Sequence, residues 1–294
     1  MGLGQVGGAL VAVVLVLVFL ATSGASDLVL STQPSGPKAA RTDGKPQLSG
    51  QEKAQRTLEA ARAEGLLDRD PKDKAALETA GASYALLGEY GKARGFLERL
   101  VEVDRDNVEA WRLLGEVQDK DGAGKEAATS FRRGLDAARS RGTLPLELLT
   151  DLTDLLVRQG SESEAVKLVK GLRDEVASAS VAVGEGKPAV TAATGKEGVD
   201  SVDRKLASDI GAVELDLLLA KVYTKWKGHG TEGIEIYDRL IREDPEDFRP
   251  YLAKGIVYKQ DGRLGDAERF FIQARFFAKT PEAKAIVARL AAAS

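Results

Sequence analysis

The chain has no cysteine and a single histidine, His229, in 294 residues. The missing thiols exclude disulfides, a thiol nucleophile and Cys-rich zinc sites. With one imidazole, histidine-based triads and paired-histidine metal sites are excluded unless they run through His229 itself. That residue stands in Lys227-Gly228-His229-Gly230, which reads as a solvated turn without neighbours to tune it. A surplus of positive charge is also lacking: 42 basic residues against 45 acidic ones leave a net charge of −3. No global basic field is present to draw nucleic acid. Because no base, nucleophile and metal-ligand set converges along the sequence, we expect no enzyme and no catalytic, cofactor-binding or metal site.

Charge is absent from the N-terminus as well. The first charged residue is Asp27, and Ala9 to Ala21 is an almost unbroken Ala/Val/Leu run containing Phe19. Counted from Leu3, the run is long enough for a tilted or thinly spanning helix. Ser23-Gly24-Ala25 also offers the small residues that a signal peptidase reads, but no positive region precedes the apolar run. Lys38, Arg41 and Lys45 all follow it and would stay on the cytosolic or stromal side. We favour a membrane anchor through residues 3–21 over a cleaved signal, and both over a buried core helix. The absent positive region leaves open a start further upstream.

What is present is a repeat. Leu77, Gly81, Gly88, Ala93 and Leu97 are followed 34 positions on (77 to 111) by Trp111, Gly115, Gly122, Ala127 and Phe131. That period resembles the tetratricopeptide repeat, a helix–turn–helix unit that stacks into a solenoid. A third unit fills the same slots with Leu149, Leu152, Leu156, Gly160, Ala165 and Val169, but carries Thr153 in place of the first-helix glycine. Its register is displaced by a longer turn at Arg141-Gly142-Thr143-Leu144. A fourth runs through Leu219, Ala220, Tyr223, Gly233, Tyr237, Leu240 and Pro245, and a fifth through Tyr251, Gly255, Tyr258, Gly262, Ala267, Phe271 and Ala274. Ala54, Leu58 and Ala61 before the array read as a half-repeat ending near Gly65. Thr280-Pro281 opens an alanine-rich helix that caps the last unit.

The spacing has a physical reason. Gly81, Gly115 and Gly255 on first helices, and Ala93, Ala127, Ala165 and Ala267 on second helices, leave room for the paired helices to approach closely. Glycine inside a helix costs about 1 kcal/mol relative to alanine, so its recurrence requires such packing. Trp111, Phe131, Tyr237, Tyr251, Tyr258 and Phe271 fill the remaining gaps as core. Gly88, Gly122, Gly160, Gly228 and Gly262 end first helices in a left-handed conformation.

The expected fold class is therefore all-α: a solenoid of about five helix pairs with capping helices, behind an N-terminal apolar segment and a flexible tether. Its parts are residues 1–26 (anchor or signal), 27–50 (disordered tether), 51–175 (half-repeat and three repeats), 176–203 (flexible insertion) and 204–294 (two repeats and the cap). The insertion is expected from an Ala/Gly/Ser/Val-rich stretch without helical period.

Solenoids of this class bind extended peptides or helices along the concave face, which is lined by first helices. The outward positions there are Glu109, Arg112, Glu116, Asp119, Glu147, Asp151 and Asp154 in the middle, then Lys221, Lys225, Arg249 and Lys259 toward the C-terminus. The middle reads acidic and the C-terminal part basic. The slots in which chaperone-tail receptors carry paired lysines and asparagines hold Glu78, Ala82, Arg112 and Glu116, which excludes that subclass. Arg132, Arg133, Arg139 and Arg141 form one dense basic cluster, without the interleaved aromatics of a nucleic-acid site. The partners expected are other proteins, with no nucleic acid.

The segments Asp247-Phe248-Arg249-Pro250-Tyr251-Leu252-Ala253-Lys254-Gly255 and Phe270-Phe271-Ile272-Gln273-Ala274-Arg275-Phe276-Phe277-Ala278 resemble the C-terminal part of the plastid Slow Green family. This resemblance implies a plastid location and a role in early chloroplast development through protein contacts. No Ser/Arg-rich transit peptide precedes the apolar run, where a plastid precursor would have one. A lumenal or periplasmic assembly factor released by signal cleavage is the alternative.

Overall fold

The computed structural model describes residues 48–184 and 211–292; within them lie twelve α-helices and no strand. The expected apolar segment, nearly all of the tether and the later part of the expected insertion lie outside the described residues. The described residues fall into two compact units.

The first unit holds α1 (Gly50–Leu67), α2 (Lys74–Leu87), α3 (Tyr90–Val103), α4 (Val108–Lys120), α5 (Gly124–Ser140), α6 (Leu146–Arg158) and α7 (Glu162–Gly184). A capping box starts α1: the Glu52 N–H donates to Ser49 Oγ (3.2 Å) and the Ser49 N–H to Glu52 Oε2 (2.7 Å). The helix passes through Gly65, two residues beyond which it ends at Leu67. Asp73 and Asn107 cap α2 and α4, accepting from the N–H groups of Ala76 (3.0 Å) and Ala110 (2.9 Å). At the other end of α2, Gly88 has φ +79°, and its N–H and that of Glu89 close the helix onto Ala85 and Tyr84.

Packing follows the volumes anticipated from the repeat. A Cβ on Gly115 would sit 2.5 Å from the Phe131 ring, and one on Gly81 2.8 Å from Leu97. In the third repeat Thr153 takes the glycine slot, fully buried, and Val169, also buried, takes the sequence slot of Leu97 and Phe131. The Thr153 hydroxyl is satisfied by the Thr150 carbonyl at 3.0 Å. First helices α2, α4 and α6 touch along one face, and α1 packs on α2 through Ala60, Ala63 and Leu67; the stripe expected to pack there, Ala54, Leu58 and Ala61, is exposed instead.

One element differs from expectation. The helix α7 continues past Val176 to Gly184, into the stretch expected to be irregular. Residues 176–183 contain neither proline nor glycine, and their alanines carry high intrinsic helix propensity where apolar period is missing. Ser178 Oγ bonds back to the Asp174 carbonyl at 2.7 Å, which keeps its hydroxyl within the helix.

The second unit holds α8 (Ala212–Lys225), α9 (Gly230–Glu243), α10 (Phe248–Gln260), α11 (Leu264–Phe277) and α12 (Pro281–Ala292). Gly255 repeats the close approach: a Cβ there would lie 2.7 Å from the Phe271 ring. In the α8–α9 pair the arrangement inverts. Ala220 occupies the first helix and Gly233 the second, where a Cβ would come within 2.6 Å of the Ala220 carbonyl oxygen. Tyr237, 1% exposed, fills that pair's interior. The terminal α12 packs on α10 and α11, burying Ala283 and Val287.

Candidate protein-binding face

Helical spacing of three and four residues aligns Glu109, Arg112, Glu116 and Asp119 on α4, and Glu147, Asp151 and Asp154 on α6. The two helices are neighbours, so the rows form one charged face. Arg112 is its hub. Its guanidinium forks onto Glu109 (Nε–Oε2 2.9 Å, Nη2–Oε1 2.7 Å), pairs with Glu116, and lies 3.5 Å from Asp151 Oδ2 on the next first helix. Arg158 on α6 reaches back to Asp119 at 2.6 Å. These ion pairs tie adjacent repeats together.

The same arrangement loads the face with negative charge. Burial pushes the Asp151 carboxyl up to about 7, Glu116 pushes in the same direction, and Arg112 opposes both. Burial raises Glu116 too, against the pull of Arg112. Arg112 is held more firmly protonated, chiefly by Glu109. Asp151 Oδ2 is shielded from solvent and accepts no hydrogen bond. The Arg112 contact is its nearest compensation, at ion-pair rather than hydrogen-bond distance.

In the second unit the sequence-assigned cations have other duties. Lys221 is 4% exposed, so it does not line an open face. Arg249 forks onto Asp247 and reaches Glu214 on α8 at 2.7 Å. Lys259 donates to the Leu290 and Ala291 carbonyls (3.3 and 2.7 Å), capping the C-terminus of α12. Lys225 bonds Gln260 Oε1 at 2.8 Å. The expected basic run is thus corrected: its charges are largely spent inside the unit, because side-chain spacing cannot reveal acceptors on neighbouring helices.

Two further expectations change. His229 does sit in the turn with its side chain partly exposed, but it is not without neighbours: its ring stacks on Trp226 with centroids 3.9 Å apart, and Nδ1 lies 2.8 Å from Glu232 Oε1. Tyr223 stacks on Trp226 beside it, the three rings standing three positions apart in the sequence. The arginines of α5 are also engaged: Arg132 pairs with Glu164 and Arg139 with Glu175 (2.8 Å), both on α7. No group of three His, Asp or Glu side chains among the described residues is arranged to hold a metal ion. The repeating Asp/Asn caps at 73, 107 and 247 escaped the sequence reading, although each precedes its helix by one residue.

Paired antiparallel helices at a 34-residue period, with glycine-for-volume exchange at the crossing, define the tetratricopeptide-repeat class. The tetratricopeptide repeat family model matches residues 96–141, from within α3 through α5. The chain is a tetratricopeptide-repeat protein that resembles the Slow Green family. A curated relative, the chloroplastic protein SLOW GREEN 1 of Arabidopsis thaliana, is 31% identical over 64 residues, covering 22% of this chain and 20% of that protein. The match therefore spans about a fifth of the relative's length. Among solved structures, YrrB, described as a TPR protein with an unusual peptide-binding site, has a TM-score of 0.41 at 14% identity, covering 78% of this chain and 99% of that one. The C-terminal part of a TPR repeat-containing protein from Cytophaga hutchinsonii has a TM-score of 0.47 at 11% identity, covering 76% and 74%.

Proposed function

We propose that this chain is a non-enzymatic scaffold that holds a segment of a partner protein, a peptide or a helix, along the first-helix face of α4 and α6. The observation that carries this reading is the charged row centred on Arg112 and Asp151. It is ordered by ion pairs that run between adjacent first helices, and its carboxylates outnumber its guanidiniums, which suits a partner segment bearing basic side chains. Preorganised side chains of this kind lower the entropic cost of association. We further propose that the protein acts in the chloroplast, tethered to a membrane through residues 3–21, in chloroplast development or in assembly of plastid protein complexes. The Slow Green resemblance supports the compartment, and the uncharged N-terminal run supports the tether. Among the described residues no helix is long and apolar enough to cross a membrane; the apolar run lies outside them.

Site-directed photo-crosslinking in isolated chloroplasts tests this. A crosslinker at Glu147 is expected to yield a discrete protein adduct, and one at Glu268 on α11 to yield none. Loss of the adduct on Asp151→Lys would assign it to the face. Adducts of equal intensity from both positions, or adducts to RNA alone, would overturn the reading.

A further inference from the structure

The second-helix side of the first unit carries a feature that the charged first-helix face does not explain. The helices α3 and α5 stand apart, leaving an open cleft of about 910 Å³ between them. Its floor is apolar, made by Val101, Leu114, Ala137 and the indole of Trp111. Its walls carry five carboxylates, Glu98, Glu102, Asp106, Glu126 and Asp136, against two guanidiniums, Arg105 and Arg133. Glu98 has one long contact to Arg94 (3.8 Å), while the other four carboxylates enter no ion pair among the described residues. Arg133 lies over the Trp111 ring at 5.3 Å, so part of its charge is already directed to the aromatic face.

A polar side chain is built into the floor. Gln118 is 7% exposed and its Oε1 accepts from Ser130 Oγ at 2.7 Å. Among the described residues the Gln118 amide nitrogen meets no acceptor, and it stays open to solvent on the cleft side. It lines the cleft beside Leu114 and Trp111, and therefore offers a donor to an incoming carbonyl.

We infer that this cleft is a second docking site, for a partner-protein segment in which lysine or arginine side chains flank an apolar one. The apolar side chain would cover Leu114 and Trp111, a backbone carbonyl would accept from Gln118, and the basic side chains would meet the unpaired carboxylates. Phosphate-bearing ligands are disfavoured by the same carboxylates. The site shares the helix α4 with the first-helix face but uses other residues of it, Trp111, Leu114 and Gln118 in place of Glu109, Arg112 and Glu116, and Asp151 lies apart on α6.

Trp111 supplies the reporter. The chain has two tryptophans, so Trp226→Phe leaves Trp111 as the sole indole. A short synthetic peptide alternating lysine with leucine is titrated against this full-length chain, beside a control alternating glutamate with leucine. Saturable change in Trp111 emission is expected with the lysine peptide only. Paired Glu102→Lys and Asp136→Lys substitutions are expected to weaken it about tenfold or more, while Asp151→Lys leaves it unchanged. Fluorescence anisotropy of the labelled lysine peptide on the chain with both tryptophans is expected to give the same loss for the paired reversal. Helicity by circular dichroism identifies any variant that has unfolded. An absent response, an equal response to the glutamate peptide, or a response lost with Asp151→Lys and kept in the paired reversal would overturn the proposal.

Discussion

At the residue scale, each repeat is closed by an exchange of volume between two facing positions. Glycine at 81, 115 or 255 stands opposite Leu97, Phe131 or Phe271; Thr153 and Val169 hold the same sequence slots, both buried; Ala220 requires Gly233 across from it. The recurring glycine was legible in the sequence, because a residue that weakens a helix recurs only where packing demands it, but the side chain that meets each glycine was not. The prediction is quantitative. Gly115→Ala gains about 1 kcal/mol of helix propensity but forces a methyl against a buried ring at 2.5 Å. Overpacking of this kind costs roughly 1–3 kcal/mol, so urea unfolding is expected to report a net loss. Combined with Phe131→Val, the loss should fall below the sum of the two single losses. Strict additivity would show that the two side chains do not share that space. The electrostatics of Asp151 were not legible, since burial and a partner on another helix set them. With its carboxyl raised to about 7 in the folded chain, Asp151 favours folding at low pH. That contribution is complete below its unfolded value near ~4 and is lost as pH rises through about 7. Asp151→Asn is therefore expected to raise the melting temperature at about pH 8 and to match the parent near pH 4. The opposite order would mean that the 3.5 Å pairing with Arg112 outweighs the cost of burial.

At the scale of elements, starts and stops were legible where local chemistry sets them. Thr280 Oγ1 accepts from the Ala283 N–H at 3.1 Å, as the Thr-Pro pair implied. Helix ends fixed from a distance were not. The last turn of α12 is held by Lys259, which reaches across from α10 to two carbonyls and so served in the sequence reading as a groove cation. Likewise α7 outlasts its apolar period, because alanine-rich sequence sustains a helix without a buried stripe. The two ends of α12 can be separated experimentally. Thr280→Ala is expected to cost about 1 kcal/mol and to speed amide exchange in the first turn. Lys259→Met is expected to speed exchange at the C-terminal turn while leaving α8 and α9 unchanged. Unaltered exchange at 288–292 in Lys259→Met would remove the capping role and return Lys259 to the set of groove residues.

At the scale of the whole molecule, composition set firm limits, but the distribution of charge required the structure. A net charge of −3 leaves no global basic field, yet it conceals carboxylates gathered on two different sides of the first unit. The cations of the second unit, by contrast, are drawn into its own ion pairs and helix cap. The proposed membrane tether would act through the apolar run of the uncharged first 26 residues, whereas any membrane contact of the helical units would be electrostatic. Vesicle flotation distinguishes the two contributions. Full-length protein made in the presence of liposomes is expected to float with them, and to remain bound at high salt, since burial of apolar surface is little affected by ionic screening. A chain beginning at Leu48 keeps the capping box at Ser49 and every described helix, and is expected to stay in the dense fraction. Flotation of that shorter chain would place the membrane contact on the repeats and overturn the tether; release of the full chain by salt would make the attachment electrostatic.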